Sequence, residues 1–252
     1  MNHSTSELKV KARSLLQGQF LLPVAGFFFI QAAAILVLNI YRQFFWGVPG
    51  TAWMIIFYVG LLIILLLVSL LNAGYTRMLM NLSRNRPYSL SDILSTCAQD
   101  GDRLLIITIL EALAVFACFV PSIVFSVVNE LVGGFLFLNL IALLLEMAGL
   151  VAAGILYLSF SLAIFLCMDY PDKKGLWSFL KLSSQMMQSQ KGRLFYLLAS
   201  LLGLYLLSAL SCFIGLLWVA PYTEVTLILF YRDLNHEDLD VNSQGQETAG
   251  QY

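Results

Sequence analysis

Long apolar runs with almost no charge constrain the fold of this chain more than any other feature of its sequence. An α-helix needs about 20 apolar residues to cross the hydrocarbon core of a bilayer. Four clear runs of about this length cover residues 19–40, 52–74, 104–127 and 194–214. Hydrophobic residues make up 60% of the chain and charged residues 12%, against about 45–50% and about 25% in soluble domains. The sequence therefore predicts an all-α, polytopic membrane protein.

A fifth apolar region, residues 131–168, is long enough for one long crossing or two short ones. Two crossings would place the basic loop 169–193 on the opposite side of the membrane from the other basic segments. In the topology with one crossing, 13 of the 14 Lys and Arg residues share one side, as cytoplasmic loops do. We therefore predict one crossing at about 147–168, with an apolar segment before it near the outer interface and Glu146 at the membrane boundary. The alternatives for residues 131–146 are a re-entrant segment and part of one long helix.

The last predicted span is the short run Leu216–Tyr231. Gly215 can end the preceding helix, and Pro221 fits the first turns of a new one. Six spans place both termini in the cytoplasm. The predicted domains are an N-terminal amphipathic helix, a six-span membrane domain and an acidic, disordered cytoplasmic tail, over residues 1–18, 19–232 and 233–252.

Three short amphipathic segments precede spans, and each predicts a helix in the cytoplasmic interface. They cover residues 6–18, 89–101 and 175–192. Each is followed by a span and a returning span, so we expect three pseudo-repeated hairpins. The expected partners are the lipid bilayer, anionic lipids at the interfacial helices, which carry basic residues, and a membrane protein. The chain lacks the basic excess that nucleic-acid binding requires.

Several segments resemble a bacterial integral-membrane family known as domain of unknown function nine-seven-five. They are Ser6–Lys9, Phe179–Met187, Lys191–Phe195, Ile214–Tyr222 and Phe230–Leu234. The resemblance covers about residues 5–234 and implies a multi-pass protein of the bacterial inner membrane. It implies no activity and no catalytic residues. A more distant likeness is to the membrane domain of glycerophosphodiester phosphodiesterases, whose catalytic domain has no counterpart in these residues.

No pattern typical of an active site occurs in the sequence. The two histidines, His3 and His236, lie in polar terminal segments, which argues against His-based catalysis or a His metal site. The zinc-binding His-Glu-x-x-His motif and the glycine-rich phosphate loop are both missing. We predict that the chain is not an enzyme and binds no cofactor.

Three ionisable residues in or beside the apolar runs are the candidate functional residues, because a charge inside a membrane is costly and usually needs a partner. Glu111 lies about 10 Å into the third span. Glu224 lies near the middle of the sixth span, and Arg77 occupies the equivalent position of the repeat. We predict that Arg77 and Glu224 form an ion pair between the second and sixth spans.

Two further residue patterns predict local packing. Pro121 is expected to kink the third span, because proline removes a backbone hydrogen bond from a helix. Small residues at positions 148, 149, 152 and 153 have the spacing of a close helix contact.

The first predicted function is a non-enzymatic scaffold or accessory component that binds partner proteins or lipids. The alternative is a small transporter or permease in which Glu111 and Glu224 line a path. A third possibility, a lipid-modifying enzyme, would need clustered polar residues that the sequence does not show. A polar cavity touching Glu111 or Glu224 would favour transport, whereas a closed, dry bundle would favour the accessory role.

Overall fold

The computed structural model describes residues 3–45, 50–133, 135–170, 175–211, 214–237 and 239, and over these residues it is helical with connecting turns. This confirms the predicted all-α class. In chain order the helices are α1 (Thr5–Leu16), α2 (Leu21–Phe44), α3 (Thr51–Ser83), α4 (Ser91–Gln99), α5 (Gly101–Ala117), α6 (Val120–Val132), α7 (Leu136–Phe160), α8 (Ala163–Asp169), α9 (Leu176–Met186), α10 (Lys191–Leu210) and α11 (Leu216–Leu234).

Within the described residues, four stretches of helix are long and apolar enough to cross a membrane. They are Leu21–Phe44, Ile55–Ser83, Phe137–Asp169 and Lys191–Leu210. The pair α5 and α6 adds a fifth if the two helices form one bent span. Large apolar side chains remain exposed along these helices, including Leu62, Leu144 and Leu206. Contiguous apolar surface on this scale is typical of protein that contacts lipid.

The region 131–168 contains one crossing candidate, as predicted, but its first part is not a separate interfacial segment. Gly133 ends α6 with a left-handed φ of 110°, and α7 then runs unbroken over 25 residues. Glu146 lies in the middle of α7 and is exposed. The prediction of a separate segment before residue 147 was wrong, because one carboxyl group does not stop a helix and no Gly or Pro separates Leu136 from Ala148. The position of Glu146 at the membrane boundary stays a prediction.

Pro121 kinks the third predicted span, as expected. It lies in the first turn of α6, and the axes of α5 and α6 diverge by 47°. The chain turns where the missing proline N–H can no longer bond to the preceding turn.

The close contact predicted for the small residues of α7 is confirmed on one side of the helix. A Cβ atom on Gly149 would lie 2.8 Å from the carbonyl oxygen of Cys118, so α7 passes the α5–α6 break at backbone distance. Ala153 is buried as well, whereas Ala148 and Ala152 are exposed.

The chain forms two compact units. Unit 1 consists of residues 1–105 and 196–252, and unit 2 consists of residues 106–195. Within unit 1, α11 packs against α1, α2 and α3. Most of its side chains from Val225 to Asp233 are buried. The predicted sixth span, α11, is not among the candidates that pass by length and composition, because this interior helix carries polar side chains that pack against protein.

All three predicted amphipathic segments are helices, namely α1, α4 and α9. Ser4 caps α1 in a capping box with Glu7, which satisfies amide groups at the helix start. Leu8, Ala12 and Leu16 are fully buried, and α1 packs against α11. Its apolar face is therefore covered by protein, where the sequence predicts contact with lipid.

The start of the predicted disordered tail is folded. Asp233 and Leu234 complete α11, and the chain then turns back so that the Glu237 backbone N–H donates to the carbonyl oxygen of Arg232 at 2.9 Å. Leu239 is buried. Residues 240–252 of the predicted tail lie outside the described residues.

Candidate functional site

A cavity of about 280 Å³ lies inside unit 1 beside the carboxyl group of Glu224. Four helices, α2, α3, α10 and α11, supply its walls. The lining residues are Phe27, Asn72, Tyr75, Thr76, Tyr205, Ala220 and Glu224. We call this space the Glu224 cavity. It places a carboxyl group, hydroxyl groups and aromatic rings around one small space.

The carboxyl group of Glu224 is held by a hydroxyl group and not by a cation. The Thr76 hydroxyl donates to Glu224 Oε1 at 2.7 Å, and the same hydroxyl lies 3.1 Å from the Asn72 carbonyl oxygen. Among the described residues, no Lys, Arg or His side chain forms an ion pair with Glu224. A buried carboxylate without a counter-ion is costly, so the chemistry of this cavity centres on Glu224.

Two more polar groups of the cavity have their donors directed at the backbone. The Tyr75 hydroxyl donates to the carbonyl oxygen of Pro23 at 3.0 Å. The Asn72 amide nitrogen donates to the carbonyl oxygen of Val68 at 2.9 Å, and its side-chain oxygen accepts from Gln31 at 3.3 Å. Among the described lining residues, the donors that remain are the Tyr205 hydroxyl and the second N–H of Asn72, beside a larger number of acceptor oxygen atoms.

Aromatic rings complete the lining. The rings of Phe27 and Tyr75 lie with their centroids 6.3 Å apart and their planes inclined by 50°, and Tyr205 adds a third ring from α10. The face of each ring carries a partial negative charge. The ring faces and the carboxyl oxygen atoms of Glu224 together give the cavity a surface that attracts positive charge.

The predicted ion pair between Arg77 and Glu224 is wrong. Arg77 Nη1 lies 3.1 Å from Asp100 Oδ2, while Glu224 accepts from Thr76. Arg77 lies one position after Thr76 on α3, and successive helix residues point about 100° apart. Thr76 therefore takes the direction towards α11, and Arg77 points to the start of α5.

Glu111 lies in α5 within unit 2 and is partly buried. It lines neither the Glu224 cavity nor the groove described below. The two carboxyl groups that the sequence analysis assigns to one path therefore belong to separate units.

A second polar cluster lies at the end of α11, and its charged side chains pair with one another. Arg232 donates from Nε to Glu237 Oε2 at 2.9 Å and from Nη1 to the Ser83 carbonyl oxygen. Arg84 Nη2 lies 2.6 Å from Glu237 Oε1. We call Ser83, Arg84, Arg232 and Glu237 the Arg232 cluster.

The positive charges of the Arg232 cluster change the pKa of the Glu237 carboxyl group. Burial alone would raise the pKa of its carboxyl group, but hydrogen bonds from Arg84, Asn235 and Arg232 outweigh that effect. They lower the pKa of Glu237 from 4.5 to about 2. The cluster therefore ties the end of α11 to the end of α3 through a carboxylate that stays ionised.

Unit 2 contains an open groove of about 530 Å³ along α9, which we call the α9 groove. It is lined by Phe160, Trp177, Leu180, Lys181, Ser184, Gln185, Gln188 and Lys191. Trp177 is 70% exposed, whereas Phe179 on the other face of α9 and Met187 directly after the helix are buried. One side of the helix packs against α7 and α8, and the other presents lysine, amide and indole groups.

Sequence reasoning found Glu224 but missed most of the residues around it. Gln31 and Asn72 were detectable, since each is an amide side chain inside an apolar run, where a polar group needs a partner. Phe27 and Tyr205 gave no such signal, because aromatic residues are common throughout these helices. Asp100, the partner of Arg77, lies in a turn 23 residues further along the chain.

The described part of the chain contains no group of three or more His, Cys, Asp and Glu residues arranged to hold a metal ion. Comparison with curated proteins and with solved structures yields no match. The model of one protein family, described as Protein of unknown function (DUF975), matches residues 1–238. Because this match spans nearly the whole sequence, it confirms the resemblance seen in the sequence, and the chain belongs to this family of unknown function.

Proposed function

We propose that this protein is a non-enzymatic accessory or scaffold component of the bacterial inner membrane, which binds a partner membrane protein or anionic lipids. The proposal includes six crossings, with α11 as an interior sixth span, arranged as three hairpins. Both termini then lie in the cytoplasm. The order of one amphipathic helix followed by apolar helices, which recurs at α1, α4 and α9, supports this arrangement.

The α9 groove is the observation that carries the accessory role. Lys181 and Lys191 place two positive charges beside the exposed indole ring of Trp177. Lysine and tryptophan together are typical of a membrane interface, where the indole ring lies at the headgroup level and a basic group adds about 1 kcal/mol of attraction to anionic lipid. A groove of this composition fits an acidic headgroup or an acidic segment of a partner.

The test uses the full chain, extracted from native membranes into lipid nanodiscs together with its surroundings. The variant Trp177→Ala/Lys181→Gln removes the indole ring and one of the two positive charges from the α9 groove. A matched variant, Trp218→Ala/Lys9→Gln, removes the same residue types from unit 1. We expect the wild type and the matched variant to retain one stoichiometric protein partner or an enrichment in anionic lipid, and the groove variant to lose it.

Two results would overturn the proposal. One is a wild-type protein that purifies alone and with the lipid composition of the bulk membrane. The other is a groove variant that keeps the partner or the lipid enrichment unchanged, which would show that the association does not use the α9 groove.

Transport is the second candidate function, and the Glu224 cavity favours it. Intramembrane carboxyl groups that line cavities are typical of substrate and ion pathways. Flux of a solute into proteoliposomes that is abolished by Glu224→Gln would support transport. Binding without flux would leave the cavity as a binding site within an accessory protein.

A further inference from the structure

The ligand class of the Glu224 cavity follows from the charges and donors that line it. Glu224 carries the one acidic group of the lining, and Thr76 is its hydrogen-bond donor. The apolar interior of a membrane protein screens charge weakly, so an ionised carboxylate there needs a positive partner or several donors. The described residues supply one donor and no cation.

The remaining polar groups of the lining suit a cationic ligand better than an anionic one. The Tyr75 hydroxyl and the Asn72 amide nitrogen already donate to carbonyl oxygens of Pro23 and Val68. The Tyr205 hydroxyl and the second N–H of the Asn72 amide are the donors left in the described lining, so a phosphate or carboxylate would meet two donors beside the carboxyl group of Glu224. A positively charged ligand is attracted instead, because it serves as the counter-ion of the Glu224 carboxylate.

The aromatic lining distinguishes an organic cation from a metal ion. Hard metal cations are bound through several oxygen ligands, carboxylates prominent among them, whereas this cavity supplies one carboxyl group beside three aromatic rings, and the described residues hold no group of three or more His, Cys, Asp and Glu arranged around a metal ion. Ammonium groups carrying alkyl substituents instead gain from the faces of aromatic rings, by about 0.5–2 kcal/mol for each good contact. The cavity of about 280 Å³ accommodates such a group with several carbon atoms.

We propose that the Glu224 cavity binds a small organic ammonium ion, with the carboxylate of Glu224 as the counter-ion and the rings of Phe27, Tyr75 and Tyr205 around its alkyl groups. The proposal goes beyond the accessory role and does not depend on it, because the α9 groove contributes nothing to this site.

The experiment measures binding of tetramethylammonium chloride to the full chain in nanodiscs of neutral lipid, by calorimetry and by the shift in thermal unfolding temperature. Sodium chloride at equal ionic strength controls for salt, and 2,2-dimethylpropan-1-ol is an uncharged molecule of similar size. We expect saturable binding of tetramethylammonium together with a rise in unfolding temperature, and neither effect from the alcohol or from sodium.

Two variants locate the site. Glu224→Gln keeps the shape of the side chain and removes its charge, so the affinity should fall at least tenfold. Tyr205→Leu removes one ring and leaves the charge, so the affinity should fall about threefold, in line with one cation–π contact. Glu111→Gln removes a carboxyl group elsewhere in the membrane region and should leave the affinity unchanged.

Three results would overturn the proposal. They are the absence of saturable binding to the wild type, equal effects of the alcohol or of sodium, and unchanged binding to both site variants. If Glu224→Gln fails to fold, Tyr205→Leu still tests the proposal, because the proposal also predicts that the Tyr205 ring contacts the bound ammonium ion. Loss of the accessory role in the groove variant has no bearing on any of these outcomes.

Discussion

The Glu224 cavity and the Arg232 cluster each contain an ionisable residue of α11, but they differ in whether the protein supplies a partner of opposite charge. The two residues lie eight positions apart on α11, or about 12 Å along its axis. Arg232 is 8% exposed and is matched by Glu237 and the Ser83 carbonyl oxygen. Glu224 has a hydroxyl partner and an adjacent cavity. A buried charge that the protein itself neutralises is structural, whereas a charge left beside open space is where a ligand can bind.

The largest effect should come from removing the central cation of the Arg232 cluster. Arg232→Met leaves Glu237 with one cationic partner fewer and the Ser83 carbonyl oxygen without its donor. Breaking a buried ion pair from one side costs about 3–5 kcal/mol. We expect the free energy of unfolding to fall by that amount, measured by denaturant titration in mild detergent.

The control for this prediction is Arg42→Met, since Arg42 is exposed on α2 and should change stability by less than about 0.5 kcal/mol. Equal stability of Arg232→Met and the wild type would show that the cluster is not structural, and the contrast with the Glu224 cavity would then fail.

The Arg232 cluster should also make stability depend on acid pH. Because the pKa of Glu237 is lowered from 4.5 to about 2, the unfolded chain binds more protons than the folded one in this range. The stabilisation is therefore complete above about pH 4.5 and is lost as the pH falls towards 2, by up to about 3 kcal/mol. The check is to compare the wild type with Glu237→Gln across this range.

The two proteins should converge in stability as the pH falls, because protonation removes from the wild type the charge that the variant already lacks. A constant difference between them at all pH values would show that Glu237 contributes through packing and not through its charge.

A smaller effect should follow from disturbing the support behind the cavity wall. Gly74 precedes Tyr75 and Thr76 on α3, and a Cβ atom there would lie 2.4 Å from the carbonyl oxygen of Ile93 in α4. Backbone atoms cannot move aside alone, so Gly74→Ala must push the two helices apart. We expect a loss of about 2 kcal/mol in unfolding free energy, together with weaker tetramethylammonium binding.

The matched control is Gly203→Ala in α10, where a Cβ atom would meet nothing within 4 Å. This change should be neutral or stabilise by up to about 1 kcal/mol, since alanine favours the helix. If both glycine variants behave alike, then close approach of α3 and α4 does not support the cavity wall.

The elements that sequence reasoning predicted correctly depend on local signals. Apolar runs identified α2, α3 and α10, amphipathic spacing identified α1, α4 and α9, and Pro121 identified the break before α6. Each signal acts within a few turns of the chain, where propensity and missing hydrogen bonds decide the conformation. Such features need no knowledge of what packs against them.

The failures all depend on contacts between distant residues. Glu237 reaches Arg84 across 153 positions, so the acidic composition of the tail gave no sign that its start is ordered. The pairing of Arg77 with Asp100 depends on how α4 returns along α3. The Glu224 cavity required the packing of α2, α3, α10 and α11, which no pattern within one helix encodes.

The smallest expected effect tests the hydroxyl group that distinguishes the Glu224 cavity from the Arg232 cluster. Thr76→Val keeps the shape of the side chain but removes the donor to Glu224, whereas Thr76→Ser keeps the donor. A single hydrogen bond contributes about 1 kcal/mol, so Thr76→Val should lower stability by that amount and Thr76→Ser by less. Because a carboxylate without this donor depends more on its ligand, tetramethylammonium should stabilise Thr76→Val at least as much as it stabilises the wild type. Loss of that stabilisation in Thr76→Val but not in Thr76→Ser would show that the hydroxyl group, and not the charge of Glu224 alone, makes the cavity a binding site.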